Sequence, residues 1–410
     1  MTTGSTRRVA AVAAATVGAA LFTTVAPAAP AVAVPINGCP ALFILGVQGT
    51  GQSSPTADPL ADTGVVGSLI GPVVGAVPAL VQRAYIGYDA GFGGIVPGGG
   101  SDPYVSSVSG ARANLDAAAL QVVEACPDTM LAGVGYSQGA QAMASFARDV
   151  GAGHGPVPAD RVAGIALYAN PDRGELEPVF PGRPGQTVPD PAPGTSGAAV
   201  SAVQVLAAPA GGAGIATTGE GYGALVGRVA DICSDGDLAC SAPGQASVLR
   251  LGAQLFAQAD LTNPAAGLST LGNAFSSALG EAWNTVVLHD FHLGEGTVDY
   301  APQAGLGQRL VDAGDPRTPV PDPGAATARW NEIVATVAAN PLVLLPRLLA
   351  QLSAAWGQLA AENTELINPV TWLRFADTVG RHNGYALTGQ LNSGIAWMTA
   401  LAHDIAGSRS

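Results

Sequence analysis

The residues best suited to chemistry in this 410-residue chain lie in one stretch, 130–140. An apolar run ends at Val134, Gly-Tyr-Ser-Gln-Gly follows at 135–139, and a segment with helical character comes next. A strand, a sharp turn and a helix in this order expose a serine hydroxyl above a sheet, because glycines on both sides leave room for the turn. Ser137 is therefore the predicted nucleophile.

Such a serine needs a base beside it, a carboxylate that orients the base, and N–H donors for the oxyanion. In hydrolases with this turn the chain order is serine, acid, histidine, which excludes His154. The remaining candidates for the base are His289, His292, His382 and His403. The backbone N–H of Gln138 is the expected oxyanion donor, because it follows the nucleophile at a helix start.

The elements that must position these groups can be identified from apolar runs. Runs typical of buried strands lie at 41–47, 81–88, 130–134, 162–168 and 228–233, with helix-like patterns at 104–126 and 138–150. Short apolar strands that alternate with helices predict an α/β fold, a mostly parallel sheet of about five strands covered on both faces. Thr50, Ser137 and Asp237 all follow predicted strands, at the sheet edge where functional loops gather.

Two segments interrupt this alternation. Residues 173–227 are rich in Pro, Gly and Ala, which predicts a long excursion or flexible loop. Residues 241–381 carry apolar side chains at intervals of three and four, which predicts a helical insertion. It is interpreted as a lid over the active site or as a satellite helical domain. The hydrolase core is then predicted at 34–240 and 382–410.

The N-terminus has the features of a secretory signal peptide. Arg7 and Arg8 precede an apolar, Ala-rich stretch, and Ala-Val-Ala at 31–33 is a cleavage site of the A-x-A type. Threonines and prolines make the apolar run too short to span a membrane. Residues 1–33 are therefore predicted to be removed during export by the Sec or the Tat route.

Export implies an oxidising compartment, where the four cysteines are expected to form two disulfides. Three pairings are possible for Cys39, Cys126, Cys233 and Cys240. Cys233 and Cys240 are close enough for a local staple, which leaves Cys39 with Cys126. No metal site is expected, because no C-x-x-C pair or histidine cluster accompanies the cysteines. No organic cofactor is implied either.

The charge of the chain limits its partners. The net charge is −13, and losing Arg7 and Arg8 with the signal peptide would take it to −15. Nucleic acid is excluded as a partner, because neutralising phosphates requires basic patches. Electrostatic docking on anionic lipid is disfavoured as well. The composition, with 48% apolar residues, suits a neutral lipid or acyl-ester substrate and contact with the cell envelope or a lipid surface.

Four features together resemble the cutinase family of serine esterases. Gly-Tyr-Ser-Gln-Gly-Ala at 135–140 resembles its nucleophile motif, and Cys-Ser-Asp-Gly-Asp-Leu-Ala-Cys at 233–240 resembles its disulfide loop with the triad aspartate. Cys39 and the Gly-Thr-Gly turn at 49–51 resemble its first strand and oxyanion turn, and Cys126 lies where the partner of Cys39 would fall.

The resemblance covers about 39–172 and 228–240, together with 382–410. The chain departs from small cutinases in its two long insertions and in Gln48, where many members have Arg. The related PE-PPE-type serine hydrolases share much of the pattern and are a close alternative.

The resemblance implies Asp237 as the acid, and a loop stapled by Cys233 and Cys240 at a strand end could hold its carboxylate rigidly. Asp235 and Asp172 are the alternatives. Asp237 could otherwise be an ordinary turn aspartate beside Gly236.

His382-Asn-Gly-Tyr at 382–385 resembles the family's His-x-x-Tyr, and the apolar residues behind it suit a closing helix. We therefore expect His382 as the base, with His292, in a predicted loop, as the main alternative. Thr50 would supply the second oxyanion donor through its backbone N–H.

The function predicted from the sequence is that of a secreted serine esterase or lipase of cutinase-like α/β-hydrolase fold. It would hydrolyse acyl esters through an acyl-enzyme on Ser137. One alternative is an acyltransferase that uses the same triad to move an acyl group to a sugar or lipid alcohol of the cell envelope. Another is an inactive envelope-binding module.

Overall fold

The sheet of the computed structural model, which describes residues 33–409, has five parallel strands in the order β2-β1-β3-β4-β5. The predicted signal peptide lies outside the described residues, except for Ala33. The strands are β1 Leu42–Val47, β2 Val81–Tyr85, β3 Met130–Tyr136, β4 Val162–Tyr168 and β5 Val229–Ile232. All residues of β1, β3, β4 and β5 are buried, as expected for the continuous apolar runs of a parallel sheet.

Helices cover both faces of this sheet. The α-helices of residues 33–409, including those of the insertion, are α1 Gly64–Ala76, α2 Tyr104–Ala125, α3 Gln138–Gly151, α4 Leu238–Ser241, α5 Ser247–Ala257, α6 Pro264–His289, α7 Leu306–Gly314, α8 Pro323–Ala339, α9 Pro341–Glu362, α10 Pro369–Arg374, α11 Thr378–Asn383 and α12 Asn392–Ser408. Helices α1 and α12 pack on one face, with Leu69 and Trp397 fully buried, and α2 and α3 pack on the other, with Leu115 and Met143. The predicted α/β fold is confirmed.

The Pro- and Gly-rich excursion packs against the core. Phe180 and Val205 are fully buried in the cluster on the α1 and α12 face, and Tyr222 is buried in the cluster on the opposite face. The ring of Phe180 lies edge-on to Trp397, with 6.0 Å between centroids. The alternative of a flexible loop was therefore wrong, because its few large apolar side chains anchor it to both faces of the sheet.

The insertion is helical and has an apolar cluster of its own. Helices α5 to α10 fall within it, and α6, α8 and α9 pack around a two-stranded hairpin, β6 Phe291–Gly294 and β7 Thr297–Tyr300. The hairpin replaces the loop that was predicted around His292. Helix α11 crosses the predicted boundary at 381/382, so the chain enters the C-terminal part of the core inside a helix.

Both disulfides join the pairs expected from the spacing, Cys39 with Cys126 and Cys233 with Cys240. The first ties the segment before β1 to the end of α2. The second closes a loop immediately after β5. Within residues 33–409, every helix is too short or too polar to cross a membrane.

Candidate active site

Ser137 lies in the sharp turn between β3 and α3. Its backbone has φ 54° and ψ −121°, a region that non-glycine residues rarely adopt. A Cβ on Gly135 would lie 2.7 Å from the Ala140 Cα, and one on Gly139 would lie 2.2 Å from the carbonyl oxygen of Val47. Only glycine fits at these two positions, so the sequence around the serine is fixed by the close approach of α3 to β1 and β3.

The structure brings Ser137, His382 and Asp237 into one hydrogen-bonded row. Ser137 Oγ lies 2.8 Å from His382 Nε2. His382 Nδ1 lies 2.9 Å and 3.0 Å from the two carboxylate oxygens of Asp237. With its proton on Nδ1, the imidazole donates to the carboxylate and offers Nε2 as an acceptor to the serine hydroxyl.

The Asp237 carboxylate is held by two further donors. The backbone N–H of Ala239 donates to Oδ1 at 3.0 Å, because Asp237 caps the short helix α4 inside the disulfide loop. The hydroxyl of Tyr385 donates to Oδ2 at 3.0 Å and accepts from the Ser234 N–H at 2.9 Å. Asp237 is fully buried, so these hydrogen bonds compensate for the cost of burying its charge.

The backbone around His382 is attached to both the sheet and the acid loop. The hydroxyl of Tyr136, the residue before Ser137, donates to the His382 carbonyl at 2.7 Å. The side chain of Thr378, in the first turn of α11, accepts from the Leu238 N–H at 2.8 Å. The imidazole is thus oriented from three directions, by β3, by the acid loop and by its own helix.

Two tyrosines support the row, although sequence reasoning gave them no role. Burial raises the pKa of Tyr136 and of Tyr385, and the nearby Asp237 charge raises both further, so both hydroxyls remain protonated donors. Their rings lie edge-on, with 6.0 Å between centroids. The sequence carried a signal for each, since Tyr136 directly precedes the serine and Tyr385 is the last residue of the His-x-x-Tyr segment.

The predicted oxyanion groups lie beside the serine. A Cβ on Gly49 would be 3.1 Å from the Ser137 Cβ, so the turn that contains Thr50 touches Ser137. The Gln138 side chain is turned away, with Nε2 donating to the Gly91 carbonyl at 2.9 Å. Its backbone N–H lies in the first turn of α3, where helix geometry gives it no acceptor within the helix.

Gln48, where the sequence departs from the family pattern, binds the start of α1. Its Nε2 donates to the Thr63 carbonyl, and its Oε1 accepts from the Val66 N–H at 3.2 Å. Gln52 accepts from the Val65 N–H at 3.2 Å in the same way. The two glutamines therefore fix the 48–52 turn against the N-terminus of α1, which carries no side-chain cap from Thr63.

A mainly apolar cleft of about 850 Å³ opens at Ser137 and His382. Its apolar walls include Phe92, Val105, Val108, Ile215, Ala253 and Phe256. Ala253 and Phe256 belong to α5, so the insertion forms one wall of the cleft. Such a space can take an acyl chain with its carbonyl at the serine.

The other candidate residues have different environments. His292 is exposed in β6, with Nε2 3.1 Å from the Ala301 carbonyl, and does not line the cleft. His154, His289 and His403 are likewise away from the serine and exposed. Asp235 pairs with Arg374, and Asp172 pairs with Arg148. Among the described residues, no group of three His, Cys, Asp or Glu side chains could hold a metal ion.

Comparison with known proteins agrees with the motifs. The model of the family named Cutinase matches residues 39–255, which is more than half of the chain. The chain belongs to the Cutinase family. A curated relative of this Cutinase member, the "Carboxylesterase Culp6 homolog" of Corynebacterium glutamicum, is 29% identical over 214 residues. That match covers 50% of the chain and 66% of the relative, just under two thirds of its length.

Two solved structures are similar to this Cutinase member at low identity. The catalytic core domain of acetyl xylan esterase from Trichoderma reesei is 21% identical, with a TM-score of 0.31, over 58% of this chain and 99% of that one. A cutinase-like protein from Cryptococcus sp. is 18% identical, with a TM-score of 0.33, over 57% of this chain and 96% of that one.

Proposed function

We propose that this protein is a secreted serine esterase that hydrolyses acyl esters through an acyl-enzyme on Ser137. The observation that carries the proposal is the row from Ser137 Oγ through His382 to the buried Asp237 carboxylate, at the mouth of an apolar cleft. Membership of the Cutinase family supports it, as does the similarity to a carboxylesterase.

In the proposed mechanism, His382 Nε2 takes the proton of Ser137 as Oγ attacks the ester carbonyl. The Asp237 carboxylate stabilises the imidazolium that forms, and the backbone N–H groups of Thr50 and Gln138 stabilise the oxyanion. The imidazolium then protonates the leaving alcohol, which leaves the acyl group on the serine. Water, activated by the same imidazole, releases the acid.

The substrate side of the proposal is a neutral lipid or acyl ester. The apolar walls of the cleft suit an acyl chain, and the negative net charge of the protein disfavours an anionic substrate. Contact with the cell envelope or a lipid surface remains a prediction. Export is supported by the two disulfides. It can be tested by expressing the gene in a secreting bacterial host and sequencing the N-terminus of the extracellular protein, which should begin after Ala33.

The main experiment compares Ser137→Ala, His382→Ala and His292→Ala on 4-nitrophenyl butyrate. The first two should lower kcat by about 10⁴-fold or more, because members of such a triad act as a unit. His292→Ala is the matched control and should retain activity within about twofold, since surface changes away from the site have small effects. Full activity in Ser137→Ala would show that the nucleophile is wrongly assigned.

Two further measurements separate the alternatives. A fluorescent phosphonate should label the wild-type protein and leave Ser137→Ala unlabelled, whereas failure to label the wild type would favour an inactive binding module. Product analysis with an added sugar or lipid alcohol would detect acyl transfer. A transferred acyl group in place of the free acid would favour the acyltransferase.

A further inference from the structure

Helix α9 of the insertion exposes a row of large apolar side chains. They recur at intervals of three and four residues along the helix: Leu342, Leu345, Leu349, Leu352 and Trp356. Leu342 is 89% exposed, and Trp356 is 67% exposed. Side chains at this spacing share one side of a helix, so the five form a row about 21 Å long, which we call the α9 stripe.

The opposite side of α9 is apolar as well. Leu344, Leu348 and Ala355 are buried in the apolar cluster of the insertion. A helix that is apolar all round is normally covered on every side, by protein or by lipid. Residues 33–409 cover only one side of α9 and leave the stripe exposed, which indicates a contact with something outside this part of the chain.

The charges around the stripe limit what this contact can be. Arg347 is the only charged residue from 341 to 361, and its Nε lies 2.6 Å from the Asp299 carboxylate. In the following segment, 363–387, two acids and two arginines balance. The stripe therefore offers no charge to an anionic surface, and the net charge of −13 would repel one. The matching partner is apolar and has no net charge.

The spacing of the stripe is also that of a coiled-coil seam, which would make a second copy of this chain the partner. Charged side chains usually flank such a seam and set the pairing of the two helices. Here one flank consists of Pro346, Ser353 and Ala360, and the other includes Leu348 and Ala355, which are buried within the insertion. Neither flank can set a pairing by charge, whereas a lipid layer requires no register.

Exposed apolar side chains continue along the chain from α9 toward the catalytic cleft, at Ile367, Val370, Leu373, Val379 and Leu387. Val379 lies one turn before Asn383 on α11, and Asn383 Nδ2 donates to the Val379 carbonyl at 2.9 Å. Asn383 lines the cleft beside His382. Phe256 of α5, which lines the same cleft, is also exposed. The exposed apolar surface therefore reaches the rim of the cleft.

We propose that the α9 stripe docks the protein on a lipid surface that has no net charge. The helix lies in the plane of the surface with the stripe side chains among the lipids, and the exposed apolar side chains of 367–387 extend the contact toward the cleft. This binding uses no group that reacts with an ester. The inference therefore goes beyond the proposed esterase function and does not depend on it.

The test measures flotation of the exported protein with phosphatidylcholine vesicles. The test variant combines three changes in the stripe, Leu342→Gln, Leu345→Gln and Leu349→Gln. Glutamine and leucine have similar helix propensities, so α9 should remain folded while losing the side chains that enter the lipid. Vesicle binding should weaken at least tenfold, because it scales with the apolar area that is buried.

The matched control changes three exposed leucines outside the insertion to glutamine, at Leu120, Leu176 and Leu206. It should bind the vesicles within twofold of the wild type. None of the six leucines lines the cleft, so both variants should hydrolyse soluble 4-nitrophenyl butyrate within twofold of the wild-type rate. Both should also unfold at the urea concentration that unfolds the wild type, which shows that they are folded.

A second measurement uses a variant that keeps an apolar ring. Phosphatidylcholine with brominated acyl chains should quench part of the tryptophan fluorescence of the wild type, because Trp356 enters the lipid. Trp356→Phe should remove at least half of this quenching while binding the vesicles as the wild type does. Unchanged quenching in this variant would overturn the proposal.

Three results of the flotation experiment would also overturn it: no binding by the wild type, equal weakening in the stripe variant and the control, or binding only to vesicles that contain anionic phosphatidylglycerol. A wild-type dimer in light scattering that the stripe variant converts to a monomer would show that a second copy covers the stripe. Ser137→Ala should float as the wild type does. Failure to bind lipid is therefore distinguishable from failure to hydrolyse an ester.

Discussion

Replacing Tyr385 with phenylalanine removes one hydroxyl from the group that holds the Asp237 carboxylate. That hydroxyl donates to Asp237 at 3.0 Å and accepts from the Ser234 N–H at 2.9 Å, and the tyrosine is fully buried. A hydrogen bond to a charged group contributes about 2 kcal/mol, and a buried N–H left without an acceptor costs about 1 kcal/mol or more. We expect Tyr385→Phe to lower the free energy of unfolding by about 3 kcal/mol.

The effect on catalysis should be smaller than that of removing the aspartate. Asp237 keeps its hydrogen bonds with Ala239 and His382, so the imidazole remains oriented but is stabilised less well when it becomes charged. A loss of about 1.4 kcal/mol in the transition state lowers kcat about tenfold. KM for 4-nitrophenyl butyrate should be unchanged, since Tyr385 does not line the cleft.

Tyr168 provides the matched control for this substitution. It is equally buried and lies edge-on to Tyr385, with 6.0 Å between ring centroids, but its hydroxyl has no hydrogen-bond partner among residues 33–409. Tyr168→Phe should therefore leave stability unchanged or raise it by up to about 1 kcal/mol, and it should leave kcat unaltered. Urea unfolding and steady-state kinetics of both variants decide the matter. Equal behaviour of the two variants would refute the role given to the Tyr385 hydroxyl.

Two other features of the core give testable predictions. Burial raises the pKa of Asp231 from 3.8 to about 7, so the folded state binds a proton that the unfolded state has lost between these values. The free energy of unfolding should fall as pH rises from about 4 to 7, by at most about 1.4 kcal/mol per pH unit, and Asp231→Asn should flatten this slope in urea titrations. Removing Cys233–Cys240 should cost about 2.5 kcal/mol, and removing Cys39–Cys126, which closes a longer loop, about 4.5 kcal/mol. The loss of kcat should follow the opposite order, because only Cys233–Cys240 closes the loop that carries Asp237. A larger loss of kcat in the variant with serine at 39 and 126 would contradict this.

The sheet and the elbow could be predicted because their signals are local. Each strand is a short apolar run that is buried along its whole length, and the glycines around Ser137 are required by contacts within a few residues. The acid loop was recognisable from Cys233 and Cys240, which lie close together in the chain. His382 could be preferred over His292 because it begins the short His-x-x-Tyr segment. The distance of each histidine from Ser137 along the chain gave no information about its position in the fold.

Helix α1 could not be predicted from its residues, because local preference opposes it. It begins with a glycine and contains further glycines and Pro72, and both residue types are poor helix formers. Leu69, Ile70 and Val73 are nevertheless fully buried against the sheet, so tertiary packing stabilises the helix. The β6–β7 hairpin was missed for a different reason. Its Glu-Gly turn before Thr297, with Gly296 at φ 66°, was a usable hairpin signal that the surrounding helical pattern obscured.

The contacts of the insertion explain how a histidine so far along the chain reaches the acid loop. Asp235, considered above as an alternative acid, pairs with Arg374 of α10, and its carbonyl accepts from Arg381 of α11. The Leu238 N–H of the same loop donates to Thr378. The last part of the insertion is thus attached to the loop that carries Asp237, immediately before His382. Acid and base are held by one set of local contacts, so the length of the chain between them has no direct effect on their geometry.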